Sequence, residues 1–190
     1  MSYTLVAPNV LILPGWQGSS PDHWQSRWEH SYGYSRVEQH DWLRPLRGDW
    51  IARLEDVLLA CDVDRDGPAV LVAHSLGCHH VAAWGAHSRN THRVRAALLV
   101  APPDVERADV RALLPSWSPA AMDALPFAAT MLASSSDPYC SLARARAFAA
   151  AWGTEFIDAG PCGHLNADSQ LGDWPQGHER LRQLMRDTSR

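Results

Sequence analysis

Ser75, Asp137 and His164 supply a hydroxyl, a carboxylate and an imidazole, each placed where an apolar run gives way to a loop. A serine hydroxyl is a weak nucleophile at neutral pH. It attacks acyl carbonyls when a histidine takes its proton and a carboxylate holds that histidine in the right tautomer. Ser75 centres the pentapeptide Ala73-His74-Ser75-Leu76-Gly77, between the apolar run Pro68–Ala73 and the helix-like stretch Cys78–Trp84. This context predicts a nucleophile elbow, in which a strand turns sharply into a helix and the serine at the apex is strained outward. Strand and helix nearly touch there, so the residues two before and two after must be small. Gly77 meets that need, and Ala73 replaces the usual first glycine with the next smallest side chain. The bland alternative is a helix N-cap, a common post for serine.

The carboxylate and the base should follow later strands. Asp137 comes after the apolar run Phe127–Ala133, in Ser134-Ser135-Ser136-Asp137-Pro138-Tyr139, and His164 comes after Glu155–Ile157, in Gly160-Pro161-Cys162-Gly163-His164. The order Ser75, Asp137, His164 is that of the α/β-hydrolase arrangement. Asp137 could instead merely open the Asp137-Pro138 turn, and Asp104, just past Pro102-Pro103, is a rival acid one strand earlier. His164 is the best placed of ten histidines. Oxyanion stabilisation needs aimed donors. One is the backbone N–H of Leu76, at the start of the elbow helix. The other should come from the loop Pro14–Ser19 after the first apolar run, with the Trp16 amide assigned and that of Gln17 as the alternative. Gly15, Trp16 and His74 are then expected to border the substrate pocket, the Trp16 ring forming one wall. His74 is given no chemical step.

Positioning these groups requires strands and helices in alternation. Short apolar runs at Asn9–Leu13, Ala69–Ala73, Ala96–Ala101, Phe127–Ala133 and Glu155–Ile157 read as strands, with Tyr34–Glu38 as an edge strand. Helical patterns cover Pro21–Tyr32, Asp49–Cys61, Leu76–Ser88, Ser141–Trp152 and Gly177–Asp187. The second of these places Ile51, Leu54, Val57 and Leu58 on one face behind a cap at Asp49. Alternation of this kind predicts an α/β fold, a doubly wound, mostly parallel sheet with helices on both faces and its function at the carboxyl ends of the strands. Segment 105–126, rich in proline, reads as a short lid or as a crossover with a broken helix. The chain of 190 residues is read as one domain, 1–190, able to bury roughly 70% of its unfolded surface.

Composition excludes several classes. Apolar residues make up 46% and charged residues 20%, which rules against a mainly disordered chain. The net charge is −4 and all 17 basic residues are scattered arginines, so no electrostatic footprint for nucleic acid exists. No apolar stretch reaches the ~18 residues of a membrane span, and Met1–Thr4 lacks the basic start of a leader, so a cytoplasmic location without membrane association is expected. Four cysteines are widely spaced and read as free thiols. Cys78-His79-His80 does not read as a metal site, because neighbouring helix positions diverge. Most of the nine tryptophans should serve the core.

Taken together, Leu13-Pro14-Gly15-Trp16, His74-Ser75-Leu76-Gly77, Ser136-Asp137-Pro138-Tyr139-Cys140 and Gly163-His164-Leu165-Asn166-Ala167 resemble the small serine hydrolase family that includes the retinoblastoma-binding protein 9 and YdeN-like proteins. The last motif continues through Asp168-Ser169 to Leu171-Gly172-Asp173-Trp174-Pro175, and the resemblance spans nearly the whole chain. It implies a compact α/β-hydrolase without a large cap domain and a triad mapping onto Ser75, Asp137 and His164. The chain departs at Gln170, where relatives usually carry glycine.

These readings combine into a serine hydrolase, a carboxylesterase acting on small acyl esters through an acyl-enzyme with an open, shallow site and no cofactor or metal. The partner is then a small-molecule acyl substrate. The competing readings are an amidase or thioesterase with the same chemistry, and an α/β-hydrolase fold used to bind a protein partner. The acyl chain, leaving group, pathway and oligomeric state are left open.

Overall fold

The computed structural model describes residues 9–188; the reading of Met1–Thr4 lies outside them. Its centre is a six-stranded sheet of β1 (Val10–Leu13), β2 (Ser35–Arg36), β3 (Ala69–His74), β4 (Val94–Val100), β5 (Ala128–Ala133) and β6 (Glu155–Asp158). Every pairing is parallel, and the spatial order is β2-β1-β3-β4-β5-β6. β1 and β3 are buried on both faces, which is why they read as unbroken apolar runs instead of alternating ones. The strand period of two still operates inside them. Leu11, Leu13, Leu71 and Ala73 enter one apolar cluster, while Val10, Ile12, Val70 and Val72 enter the other.

Helices α1 (Trp24–Tyr32), α2 (Arg47–Ala60), α3 (Val63–Asp66), α4 (Leu76–His87), α5 (Ala108–Leu113), α6 (Leu142–Trp152) and α7 (Pro175–Asp187) complete the chain. Residues of α2, α4 and α6 pack in the first cluster, and those of α1 and α7 in the second. Right-handed crossovers demand this division: the chain leaves β1 toward one edge through α1, then returns past β1 to build the other half. The reversal lies between β1 and β3. Their carboxyl ends part there and leave the crevice in which ligands of open α/β sheets bind.

Several element ends differ from the sequence reading. α1 begins at Trp24, since Pro21 and Asp22 form a turn and His23 is the cap, its Nδ1 accepting from the Gln25 amide. Asp49 does not cap α2. The helix starts two residues earlier, and the Arg47 amide donates to Ser116 Oγ at 3.2 Å, so a residue distant in sequence takes the place of the local cap. α7 starts at Pro175, whose missing N–H costs nothing at a helix start. The edge strand shrinks to Ser35–Arg36, although the Val37 amide still donates to the Ile12 carbonyl.

Segment 105–126 is a crossover with a broken helix, made of the short α5 and a 3-10 turn at Pro115–Trp117. Val110, Leu114 and Trp117 anchor it in the first cluster. Six tryptophans, at 24, 28, 50, 84, 117 and 152, are fully buried, as expected of core residues. Among the described residues no helix is long and apolar enough to cross a membrane.

Candidate active site

The crevice between β1 and β3 is a cleft of about 760 Å³ lined by Gly15, Trp16, His74, Ser75, Leu76 and His164, among others. Ser75 follows β3 directly and has φ 56° and ψ −125°, a backbone conformation that costs on the order of 1–3 kcal/mol for a residue with a Cβ. Tight packing enforces it. A Cβ on Gly77 would overlap the Leu13 carbonyl oxygen, and a Cβ on Gly15 would stand 2.7 Å from Ser75 Cβ. Ala73 is fully buried in the first cluster, so the methyl that replaces the usual glycine finds room in the core. Ser75 does occupy the N-cap position of α4. Its hydroxyl makes no capping bond, however, and lies 2.9 Å from His164 Nε2.

On its other side the His164 ring places Nδ1 2.8 Å from Asp137 Oδ2. A carboxylate accepts only, so Nδ1 carries the proton and Nε2 offers its lone pair to the serine O–H. The Asp137 side chain is 3% exposed, and its second oxygen accepts from the Tyr139 amide at 2.8 Å. The turn role and the histidine contact therefore coexist in one residue. Asp104 goes elsewhere, to Arg144 at 3.3 Å.

Two loops must agree for this line to form, and groups given no such bracing role from the sequence make them agree. Ser134 Oγ accepts from the Cys162 amide at 2.8 Å and Ser136 Oγ from the Gly163 amide at 2.9 Å, which ties the loop after β5 to the loop after β6. The run of three serines before Asp137 was the available signal. From below, the His74 Nε2–H donates to the His164 carbonyl at 2.9 Å and the Trp24 Nε1–H to the Leu165 carbonyl at 2.8 Å. Gln25 is wholly buried and bridges the parting strands, its Nε2 donating to the carbonyls of Leu13 and Val72. Nothing in the local sequence around Gln25 points to that role, because both partners lie on other elements.

Burial keeps the neighbouring imidazoles neutral. Desolvation, with His23 and His164 adding to it, holds His74 well below the ordinary imidazole range, and desolvation first among causes takes His23 down to about 3. With Nδ1 of His23 accepting from Gln25, its Nε2 carries the proton and is buried without a partner. Neither of these two rings thus adds a positive charge beside His164.

The amides around the serine divide clearly. Gln17 N–H donates to the Trp42 carbonyl at 3.0 Å, which removes the alternative donor weighed from the sequence. The Trp16 and Leu76 amides have no acceptor among the described residues. Leu76 is the first residue of α4, where helix N–H groups are free by construction, and its nitrogen would lie 3.2 Å from a Cβ on Gly15. Such a pair of N–H groups beside a hydroxyl can receive negative charge on an acyl oxygen.

Cys78, His79 and His80 diverge, as neighbours on a helix do. Cys78 Sγ reaches the Val100 carbonyl at 3.3 Å, and the two Nε2–H groups donate to the carbonyls of Pro103 and Trp50. Gln170 has φ 53° and ψ 36°, left-handed backbone that explains a preference for glycine at this position.

A sequence model of the family described as serine hydrolase matches residues 10–183. Among solved structures, a YdeN-like hydrolase from Pectobacterium atrosepticum is 26% identical with a TM-score of 0.82, over 95% of this chain and 91% of that one. The ydeN gene product of B. subtilis is 18% identical with a TM-score of 0.73, over 94% and 98% of the two chains. Esterase 2 of Thermogutta terrifontis is 17% identical with a TM-score of 0.66, over 99% and 87%; at such identities the likeness concerns the fold. No curated protein sequence matches the chain.

Proposed function

The chain belongs to the family of YdeN-like serine hydrolases, and on that premise we propose that it is a carboxylesterase in which Ser75, His164 and Asp137 form the catalytic triad. The observation that carries this reading is the unbroken line from Ser75 Oγ through the His164 ring to Asp137, at 2.9 and 2.8 Å. The hydroxyl attacks the acyl carbonyl, its proton passes to His164 Nε2, and Asp137 stabilises the imidazolium that results. The amides of Trp16 and Leu76 receive the oxyanion, each such donor being worth about 10²–10³ in kcat. As the tetrahedral species collapses, the bond to the leaving oxygen breaks and His164 returns the proton to that oxygen. Water then repeats the sequence on the acyl-enzyme, with His164 as base, and frees the acid.

The substrates in this reading are small acyl esters, taken without a cofactor. Four free thiols suit a reducing, cytoplasmic setting. The test is hydrolysis of p-nitrophenyl butyrate together with labelling by a fluorophosphonate probe. The wild-type chain should do both, and Ser75→Ala should lose turnover by about 10⁴-fold or more and all labelling. A folded Ser75→Ala protein with undiminished turnover would overturn the proposal, and an unlabelled, inactive wild type would favour the binding-module alternative.

A further inference from the structure

We infer that the cleft sorts the two halves of its ester, seating an apolar acyl group against Trp16, Trp42 and Leu113 and a polar, non-anionic alcohol beside Asn166 and Asp168. The inference rests on the reading of Ser75 as nucleophile and His164 as base. The direction follows from proton transfer. The leaving oxygen must be protonated as its bond to carbon breaks, and His164 Nε2, 2.9 Å from Ser75 Oγ, is the group placed to do it. The alcohol half is therefore held on the His164 side of the serine and the acyl half on the other.

The two sides differ in chemistry because they rise from opposite faces of the sheet. On the His164 side the chain continues through Leu165, which is packed in the second cluster, to Asn166 and Asp168 at the cleft. On the far side the first cluster reaches up through Trp16, Trp42 and Val110, and the broken crossover adds Leu113, a leucine 61% exposed. An exposed leucine on a cleft wall is satisfied when an apolar chain lies against it.

Charge narrows the alcohol. Arg36 also lines the cleft, but its Nε is held by Glu29 at 2.9 Å and its other nitrogens by Ser26 and the Ser19 carbonyl. The Asp168 carboxylate has no ion pair among the described residues. The uncompensated charge at the alcohol side is thus negative, and a carboxylate or phosphate on the leaving group is repelled. Asp168 is exposed, so its preference for a cation over a neutral isostere amounts to about threefold.

Two substrate series read the two halves apart. With p-nitrophenyl acetate, butyrate and hexanoate below their micellar concentrations, wild-type kcat/KM should rise by about tenfold or more. With butyrylcholine and 3,3-dimethylbutyl butyrate, a pair of matched shape, Asp168→Asn should lower the choline-to-neutral ratio by about twofold or more. Leu113→Asn, which removes the apolar contact without adding charge, should flatten the acyl series and leave that ratio unmoved, whereas Asp168→Asn should leave the acyl slope unmoved. A flat or falling wild-type acyl series, or crossed effects of the two variants, overturns the sorting. Ser75→Ala separates the layers: if it is inert while the series come out flat, only the sorting fails, and if it retains turnover, the parent reading fails as well.

Discussion

His74 and His164 stand with their ring centres 5.0 Å apart, and the Nε2–H of His74 donates to the backbone carbonyl of His164 at 2.9 Å. The residue before Ser75 thus braces the main chain of His164, the base of the proposed triad. Since the bond fixes a loop carrying Gly163 and Leu165 at positive φ, losing it should let that loop relax and displace the imidazole. We expect His74→Phe to lower kcat about tenfold or more with KM within about twofold, while His74→Gln, which keeps an N–H, recovers part of the loss. Steady-state kinetics alongside melting curves check this, and equal losses in both variants that track their melting temperatures would count against it.

Gly15 faces the serine at a distance no side chain tolerates. A methyl there would sit 2.7 Å from Ser75 Cβ and 3.1 Å from the His74 carbonyl oxygen. Gly15→Ala should therefore push the loop bearing the Trp16 amide away from the serine and cost about 10²-fold in kcat. Ester turnover measured on protein with native circular dichroism decides it; a variant with native kcat would show that the loop is not held where its amide matters.

The two candidate acids can be told apart. Asp137→Asn should lower kcat by about 10³–10⁴-fold, because an amide no longer fixes the imidazole tautomer. Asp104→Asn removes a partly exposed contact with Arg144 and should cost no more than about 1 kcal/mol of stability, with kcat within about threefold. Comparable kinetic losses in the two variants would reverse the assignment.

Stability should fall on mild acidification. Burial lowers His79 and His80 to about 4 each, and both have a buried Nδ1 without a partner. Their folded values lie below the unfolded one, so between the ordinary value of about 6.5 and about 4 the unfolded chain binds more protons. The stabilisation is complete above that window and is lost as pH falls through it, by up to about 3 kcal/mol for each ring. Urea unfolding at several pH values measures this, and His80→Gln, which cannot titrate, should make the slope shallower by one proton. An unchanged slope in that variant would remove His80 from the account.

Cysteine reactivity should split evenly. Burial pushes the Cys140 thiol up to about 12 and raises that of Cys78 above the ordinary range, whereas Cys61 and Cys162 are only partly buried. A disulfide reagent at pH 8 should titrate two thiols in the native protein and four in denaturant. Four fast thiols in the native state would contradict the burial of Cys78 and Cys140.

The sequence by itself carried the elbow, the order Ser75, Asp137, His164 and the alternation that makes a doubly wound sheet. Each of those signals is local: a small residue where two backbones touch, a loop after an apolar run, a period that buries a face. What only the tertiary structure decided lies where partners are distant along the chain. Ser116 replacing a cap at Asp49, Trp42 occupying the Gln17 amide, and the bonds of Ser136, His74 and Gln25 that align four strand ends all join groups from different elements. A hydrogen bond across the fold leaves no trace in either segment alone, because its geometry exists only after the sheet and the two helical layers have closed.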